Sequence, residues 1–245
     1  MIYSKYYRIA ERDRWQLETD IDWAHIDSAL ANSQPSIIEA LKGAALIESY
    51  APMFALKGLE VWWNSPEESA IASIQFYEEY KHFYALQRYL QAIGHGIPDR
   101  EVIEVREKNV GSHYPDRIRQ LANYMLSEHF TAHFYMRLLE QAKEPVLKSL
   151  LAYLMKDEFR HCNVFYDLLE WRIKEDPSVI QTVLDEALNF QHQGSEVVGA
   201  NIPMAGRNDM PTLMLYVKKV EKLTGVNLHA YKRQHIKNGT TTHKG

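Results

Sequence analysis

Hydrophobic residues fall in long stretches unbroken by glycine or proline, and convincing period-two alternation flanked by hairpin turns is absent. That pattern predicts helices and no sheet. Ser36 to Asn64 reads as one helix, with Pro35 before it and Asn64-Ser65-Pro66 after it. Pro66 to Ile93 reads as a second. Ser65 suits the N-cap, Pro66 the first helical position, and Glu67 and Glu68 the positive helix end. Gly94-His95-Gly96-Ile97-Pro98 stops this helix. A polar link, Asp99 to Tyr114, follows. Pro115 to Ala142 and Glu144 to Lys174 read as the third and fourth helices, and Pro177 to about Gln193 as a fifth. Gly194 to Pro211 reads as loop, Thr212 to Leu223 as a short helix before Gly225, and Asn238 to Gly245 as a frayed tail.

Four helices of matched length, each roughly 42 Å at 1.5 Å per residue, pack best as a bundle when short loops join them. The expectation is an all-α single domain over residues 1–245, with a four-helix core at about 36–174 and a helical extension at about 177–236. Composition narrows the function. At 46% hydrophobic, the 245-residue chain has enough apolar matter for a sizeable core. A net charge of −4 argues against a protein that coats nucleic acid. Cys162 is the single cysteine, which excludes an intrachain disulfide and suits a reducing compartment. With no apolar leader in Met1 to Arg14 and no stretch able to span a bilayer, the expected location is the cytoplasm.

The chemistry lies in a repeat. Glu79 and His82 form Glu-x-x-His in the second helix, and Glu158 and His161 form it in the fourth. Among 11 histidines, only these two follow a glutamate by three residues. Each motif is preceded by a glutamate in an apolar run about 30 residues earlier, Glu48 in the first helix and Glu128 in the third. Residues i and i+3 share a helix face, so each Glu/His pair can reach one metal ion, and the lone glutamates can bridge. A single Glu-x-x-His is commonplace as exposed charge. Two copies with matching glutamates predict a dinuclear site, because four carboxylates buried without cations would be very costly. Carboxylate and imidazole ligands suit iron or manganese. The arrangement is that of ferritin-like di-iron bundles.

The neighbouring residues resemble a known family. Glu78-Glu79-Tyr80-Lys81-His82 is similar to the Glu-Glu-Asn-Arg-His segment of the soluble acyl-[acyl-carrier-protein] desaturases, and Asp157-Glu158-Phe159-Arg160-His161 to their Asp-Glu-Lys-Arg-His segment. Glu128-His129-Phe130-Thr131 resembles their Glu-Arg-Ala-Thr, and Ile47 to Pro52 their first-ligand segment. The resemblance implies two iron ions on Glu48, Glu79, His82, Glu128, Glu158 and His161, with manganese as the variant metal. It implies oxygen-dependent desaturation of an acyl chain on acyl-carrier protein, a ferredoxin-like electron donor and a homodimer. It gives Thr131 a part in handling protons, and makes Asp157 the holder of His82, with Trp15 behind it on an electron path. Trp23 is a rival for that place, and Glu78 is the matching holder of His161. Pro52 predicts a kink after Glu48. His129 and His133 fall off the ligand face and read as packing, as does Cys162. Phe54, Phe76, Phe83, Tyr124, Phe134 and Tyr135 could line an alkyl channel, or simply be core.

The chain departs from the family by being shorter, with a trimmed first hairpin and a weak match over Val198 to Val226. Hydroxylation or small-molecule N-oxygenation are alternatives on the same bundle. The second usually adds a histidine one turn before the second Glu-x-x-His, where this chain has Leu154. Ferroxidase or peroxidase chemistry is the remaining one. One cysteine cannot build a rubredoxin-like site, and a ferritin cage uses shorter chains.

Overall fold

The structure, a computed structural model, describes residues 2–107, 116–190 and 210–241. All regular elements among them are helical. In chain order these are α1 (Ile2–Asp13), α2 (Ser28–Asn32), α3 (Pro35–Glu48), α4 (Ala51–Val61), α5 (Pro66–Ala92), α6 (Asp99–Glu107), α7 (Arg117–Gln141), α8 (Pro145–Glu175), α9 (Val179–Asn189), α10 (Met210–Thr224) and α11 (Leu228–Thr241), with one 3-10 turn at Trp23–His25. The loop expected at Gly194 to Pro211 falls outside the described residues up to position 209.

Two hairpins build the bundle: α3 and α4 pack on α5, and α7 packs on α8. The last two helices begin with side-chain caps. Asp116 accepts from the Arg119 N–H and Glu144 from the Leu147 N–H, each meeting a donor the first turn leaves unpaired. Ser65 stands at the N-cap of α5 as expected, but its side chain makes no cap bond there; Pro66 still occupies the first turn. α1 lies in the groove between α5 and α8. Tyr6 anchors it, donating to Asp167 Oδ2 (2.8 Å) and the Asn163 carbonyl (3.2 Å) on α8.

The expected kinked first helix is two helices. Tyr50 N–H turns back to the Ile47 carbonyl (2.9 Å), and Pro52 has no N–H to return to the Glu48 carbonyl, so α3 ends at Glu48. Arg106 of α6 reaches across to the Ser49 carbonyl (3.3 Å), supplying an outside donor at the break. α6 itself corrects the expected polar link, α1 was not expected as a helix, and the first part of α11 lies within the helical extension expected to about residue 236. α11 also runs through Asn238 to Thr241, where fraying was expected. Gly94 (φ 85°) and Gly225 (φ 70°) end α5 and α10 in the left-handed region that favours glycine.

Apolar packing falls into two clusters along the bundle. One holds Leu41, Leu86, Leu138 and Leu150; the other holds Trp62, Leu121, Met125 and Phe165. Between them lies a band of buried polar side chains from all four main helices, which is where the chemistry sits.

Candidate metal centre

Glu48 ends α3, Glu79 and His82 lie mid-way along α5, Glu128 on α7, and Glu158 and His161 on α8. All six converge. They form two donor groups: Glu48, Glu79, His82 and Glu158 in one, and Glu79, Glu128, Glu158 and His161 in the other. Within each group, one donor atom per residue lies within 4.8 Å of the others. His82 Nδ1 is 3.1 Å from Glu158 Oε1, while His161 Nδ1 is 2.9 Å from Glu79 Oε1 and 3.2 Å from Glu158 Oε2. The shared pair is Glu79 and Glu158. This corrects the expectation that the lone glutamates bridge: Glu48 and Glu128 each serve one group. The reason is position, since the two motif glutamates lie between imidazoles whose ring centroids are 5.8 Å apart.

Each imidazole is held from behind. His82 Nε2 lies 3.1 Å from Asp157 Oδ2, and His161 Nε2 lies 2.8 Å from Glu78 Oε2. A carboxylate only accepts, so each Nε2 carries the hydrogen and each Nδ1 can turn a lone pair into the cluster. Arg160 bridges the two holders, 2.8 Å from Asp157 Oδ1 and 2.6 Å from Glu78 Oε1. The buried Trp15 N–H donates to Asp157 Oδ2 at 2.7 Å. Trp23 donates to the Leu17 carbonyl instead and stacks under Arg88.

The donors fit a pair of cations. His82 and Glu158 are wholly buried, and His82 Nδ1 and Glu158 Oε1 make no hydrogen bond despite their proximity. Burial, then the charges of Glu79 and Glu158, pushes the Glu48 and Glu128 carboxyls well above the usual range. Burial disfavours a charged His82, yet the Glu158 carboxylate outweighs it and lifts the imidazole; Glu79 does the same for His161. In return His82 holds Glu158 below its ordinary value against the pull of burial. The cluster thus draws protons onto some groups and calls for positive charge, which divalent ions supply to oxygen and imidazole donors.

The contacts of three residues with the site were missed from sequence. Gln75 Nε2 donates to Glu128 Oε1 (2.7 Å) and Glu79 Oε1 (3.3 Å), Tyr135 donates to Glu48 Oε1 (2.5 Å), and Arg160 joins the holders. Gln75 is one turn before Glu79 and Tyr135 two turns after Glu128, so helical spacing was a usable signal. Thr131, by contrast, donates to the Ser127 carbonyl (3.1 Å), as threonines in helices commonly do. His129 meets the Thr212 carbonyl, and His133 meets that of His129. Neither histidine belongs to the donor groups. Cys162 is buried, with its sulfur 3.3 Å from the Met125 carbonyl.

The fold these helices make is a ferritin-like bundle. No protein-family model and no curated protein matches the chain. Solved structures of similar fold include variants of an R2-like ligand-binding oxidase. One with an anaerobically reconstituted Mn/Fe cofactor superposes with a TM-score of 0.63 at 17% identity, over 91% of this chain and 92% of that one. Another, with an aerobically reconstituted Mn/Fe cofactor, has a TM-score of 0.57 at 18% identity, over 96% and 89%. A third, carrying a non-activated Mn/Mn cofactor, gives the same four values. These likenesses establish the architecture; the chemistry rests on the residues. No described helix is long and apolar enough to cross a membrane.

Proposed function

We propose that this chain is a dimetal, dioxygen-dependent oxidase, with two iron ions or a manganese and an iron held by Glu48, Glu79, His82, Glu128, Glu158 and His161. The observation that carries this reading is the pair of donor groups overlapping at Glu79 and Glu158, each with an imidazole held from behind. The R2-like oxidases of similar fold are described with Mn/Fe cofactors, which supports the same metals. When bound, the pair supplies oxygen activation strong enough to take hydrogen from an unreactive carbon. The chain's own residues do the rest. Asp157 and Glu78 keep the histidines in the ligating tautomer. Tyr135 and Gln75 orient the carboxylates of Glu48 and Glu128. The two apolar clusters keep bulk water from the band between them. Trp15 and Asp157 form a hydrogen-bonded line from His82 toward the surface, the natural route for electrons from a ferredoxin-like donor. Thr131 would handle protons only by releasing the Ser127 carbonyl.

The substrate reading is an acyl chain on acyl-carrier protein, giving a double bond. Its support is the resemblance of residues 78–82 and 157–161 to the soluble desaturases. The protein loaded with ferrous iron, or with manganese and iron, is given oxygen, a reducing system and a panel of acyl-carrier proteins, with Glu158→Ala as control. Loss of two hydrogens from an acyl chain in the parent alone supports desaturation. Metal-dependent oxygen consumption without an acyl product keeps the oxidase and removes the acyl substrate. Full activity in the control would overturn the site.

A further inference from the structure

The outward face of α10 is apolar at one end and cationic at the other. Met210, Met214, Lys218 and Lys222 follow one another at a spacing of four residues, so they lie along one side of the helix, with Pro211 and Leu215 beside them. Met210 (63%), Met214 (56%) and Leu215 (49%) are large apolar side chains left in water, and Lys218 and Lys222 are exposed. The opposite side, with Thr212, Tyr216, Val220 and Leu223, is buried. The lysine end borders a cleft of about 990 Å³ between α1, α8 and α10, outside the donor groups. Lys5, Lys156, Lys218, Lys219 and Lys222 all line it. Its carboxylates are each matched by a cation: Asp13 by Arg12, Asp157 by Arg160 and Asp167 by Lys5. Lys156, Lys218, Lys219 and Lys222 have no carboxylate within 4.0 Å among the described residues. The net charge of the chain is −4, so this positive excess is local.

We infer that this face docks the protein on an anionic lipid bilayer. The N-terminal half of α10 lays Met210, Met214 and Leu215 into the boundary between headgroups and acyl chains. Lys218 and Lys222, with Lys156 across the cleft, meet the lipid phosphates. This is lying on a membrane and not crossing it, as short amphipathic helices do. The choice of lipid over a protein partner follows from the side chains. Protein interfaces are dominated by tryptophan, tyrosine and arginine anchors, and the exposed positions 210, 211, 214, 215, 218 and 222 carry none of these. Lysine is a point charge on a long flexible stem, suited to phosphates that have no fixed positions. A free phosphate would need converging, buried donors, and none of these lysines is buried. Lys219 is set apart, with Nζ 3.1 Å from Cys162 Sγ. No residue of the donor groups lies on α10, so the inference stands apart from the dimetal reading.

The test is flotation of the metal-loaded full chain with vesicles of phosphatidylcholine, alone or mixed with phosphatidylglycerol at roughly 2:1. The chain should bind the mixed vesicles about tenfold more strongly than the neutral ones, and less as salt is raised. Lys156→Glu/Lys218→Glu/Lys222→Glu should lose about that tenfold. Met214→Ser/Leu215→Ser should weaken binding as well, which attraction by charge alone would not produce. Metal content should be unchanged in both variants, and Lys42→Glu on α3 should bind vesicles as the parent does. Glu158→Ala should also bind them normally, so loss of the metal centre and loss of the docking face are read separately. Equal binding by the parent and the triple lysine variant overturns the inference, as does absence of binding to the mixed vesicles. Uptake of free glycerol phosphate without vesicle binding would make the lysines a soluble-anion site instead. A dimer in gel filtration that Met214→Ser/Leu215→Ser dissociates, with no vesicle binding, would give the face to a second copy and overturn the inference too.

Discussion

Glu158 is the residue on which the site turns, because both donor groups include it and it has no exposed surface. Glu158→Ala should bring bound metal, measured by elemental analysis, close to zero. The metal-free variant should melt no lower than the metal-free parent, since it removes one of several like charges held out of water. A clear drop in its melting point would mean that Glu158 serves structure more than metal. Asp157 tests the support behind a ligand. Asp157→Asn keeps the shape and loses the charge facing His82, so metal affinity in competition with a chelator should fall roughly 10–100-fold. Unchanged affinity would reduce Asp157 to a partner of Arg160.

At the scale of elements, α1 is the strap that closes the groove over the residues behind the histidines. Its hold depends on Tyr6, buried and bonded to α8. Tyr6→Ala should cost about 3 kcal/mol, as truncation of a buried aromatic does. Amide exchange should then speed up across α1 before it does in α7. Uniform exchange across the bundle would show that α1 is not a separate unit. The break between α3 and α4 belongs to the same scale. Pro52 was legible as a disturbance, but proline reports only a missing donor. Whether the chain bends or stops depends on what else receives the freed carbonyls, and here Arg106 does so from a helix that sequence did not reveal.

For the whole molecule, two ions binding only the folded state stabilise it by mass action. At a hundredfold excess over Kd this is about 2.7 kcal/mol for each independent site. Loading should raise the melting temperature by at least roughly 5–10 °C for a chain of this size. The rise should vanish in Glu158→Ala and shrink as the solution is acidified, because protons compete for every donor. A loaded protein that melts with its metal-free form would contradict an internal dimetal site.

The order of residues along the chain settled a good deal by itself. Long unbroken stretches and their Pro and Gly stops located the four main helices. The three-residue spacing in Glu79/His82 and Glu158/His161 put each pair on one face, because helix geometry is local. Asp157, Glu78 and Trp15 were marked by resemblance; Asp157 and Glu78 lie against the histidines, and Trp15 lies against Asp157. What spacing could not say was which carboxylates would be shared. That depends on how α5 and α8 face one another, and packing set Glu79 and Glu158 between the two imidazoles. Tyr135 and Gln75 became partners of Glu48 and Glu128 for the same reason, since each bond joins different helices. The lysine cleft is likewise a product of tertiary structure: residues 5, 156 and 218–222 are far apart in the chain, and they meet only because α1 and α10 settle against α8.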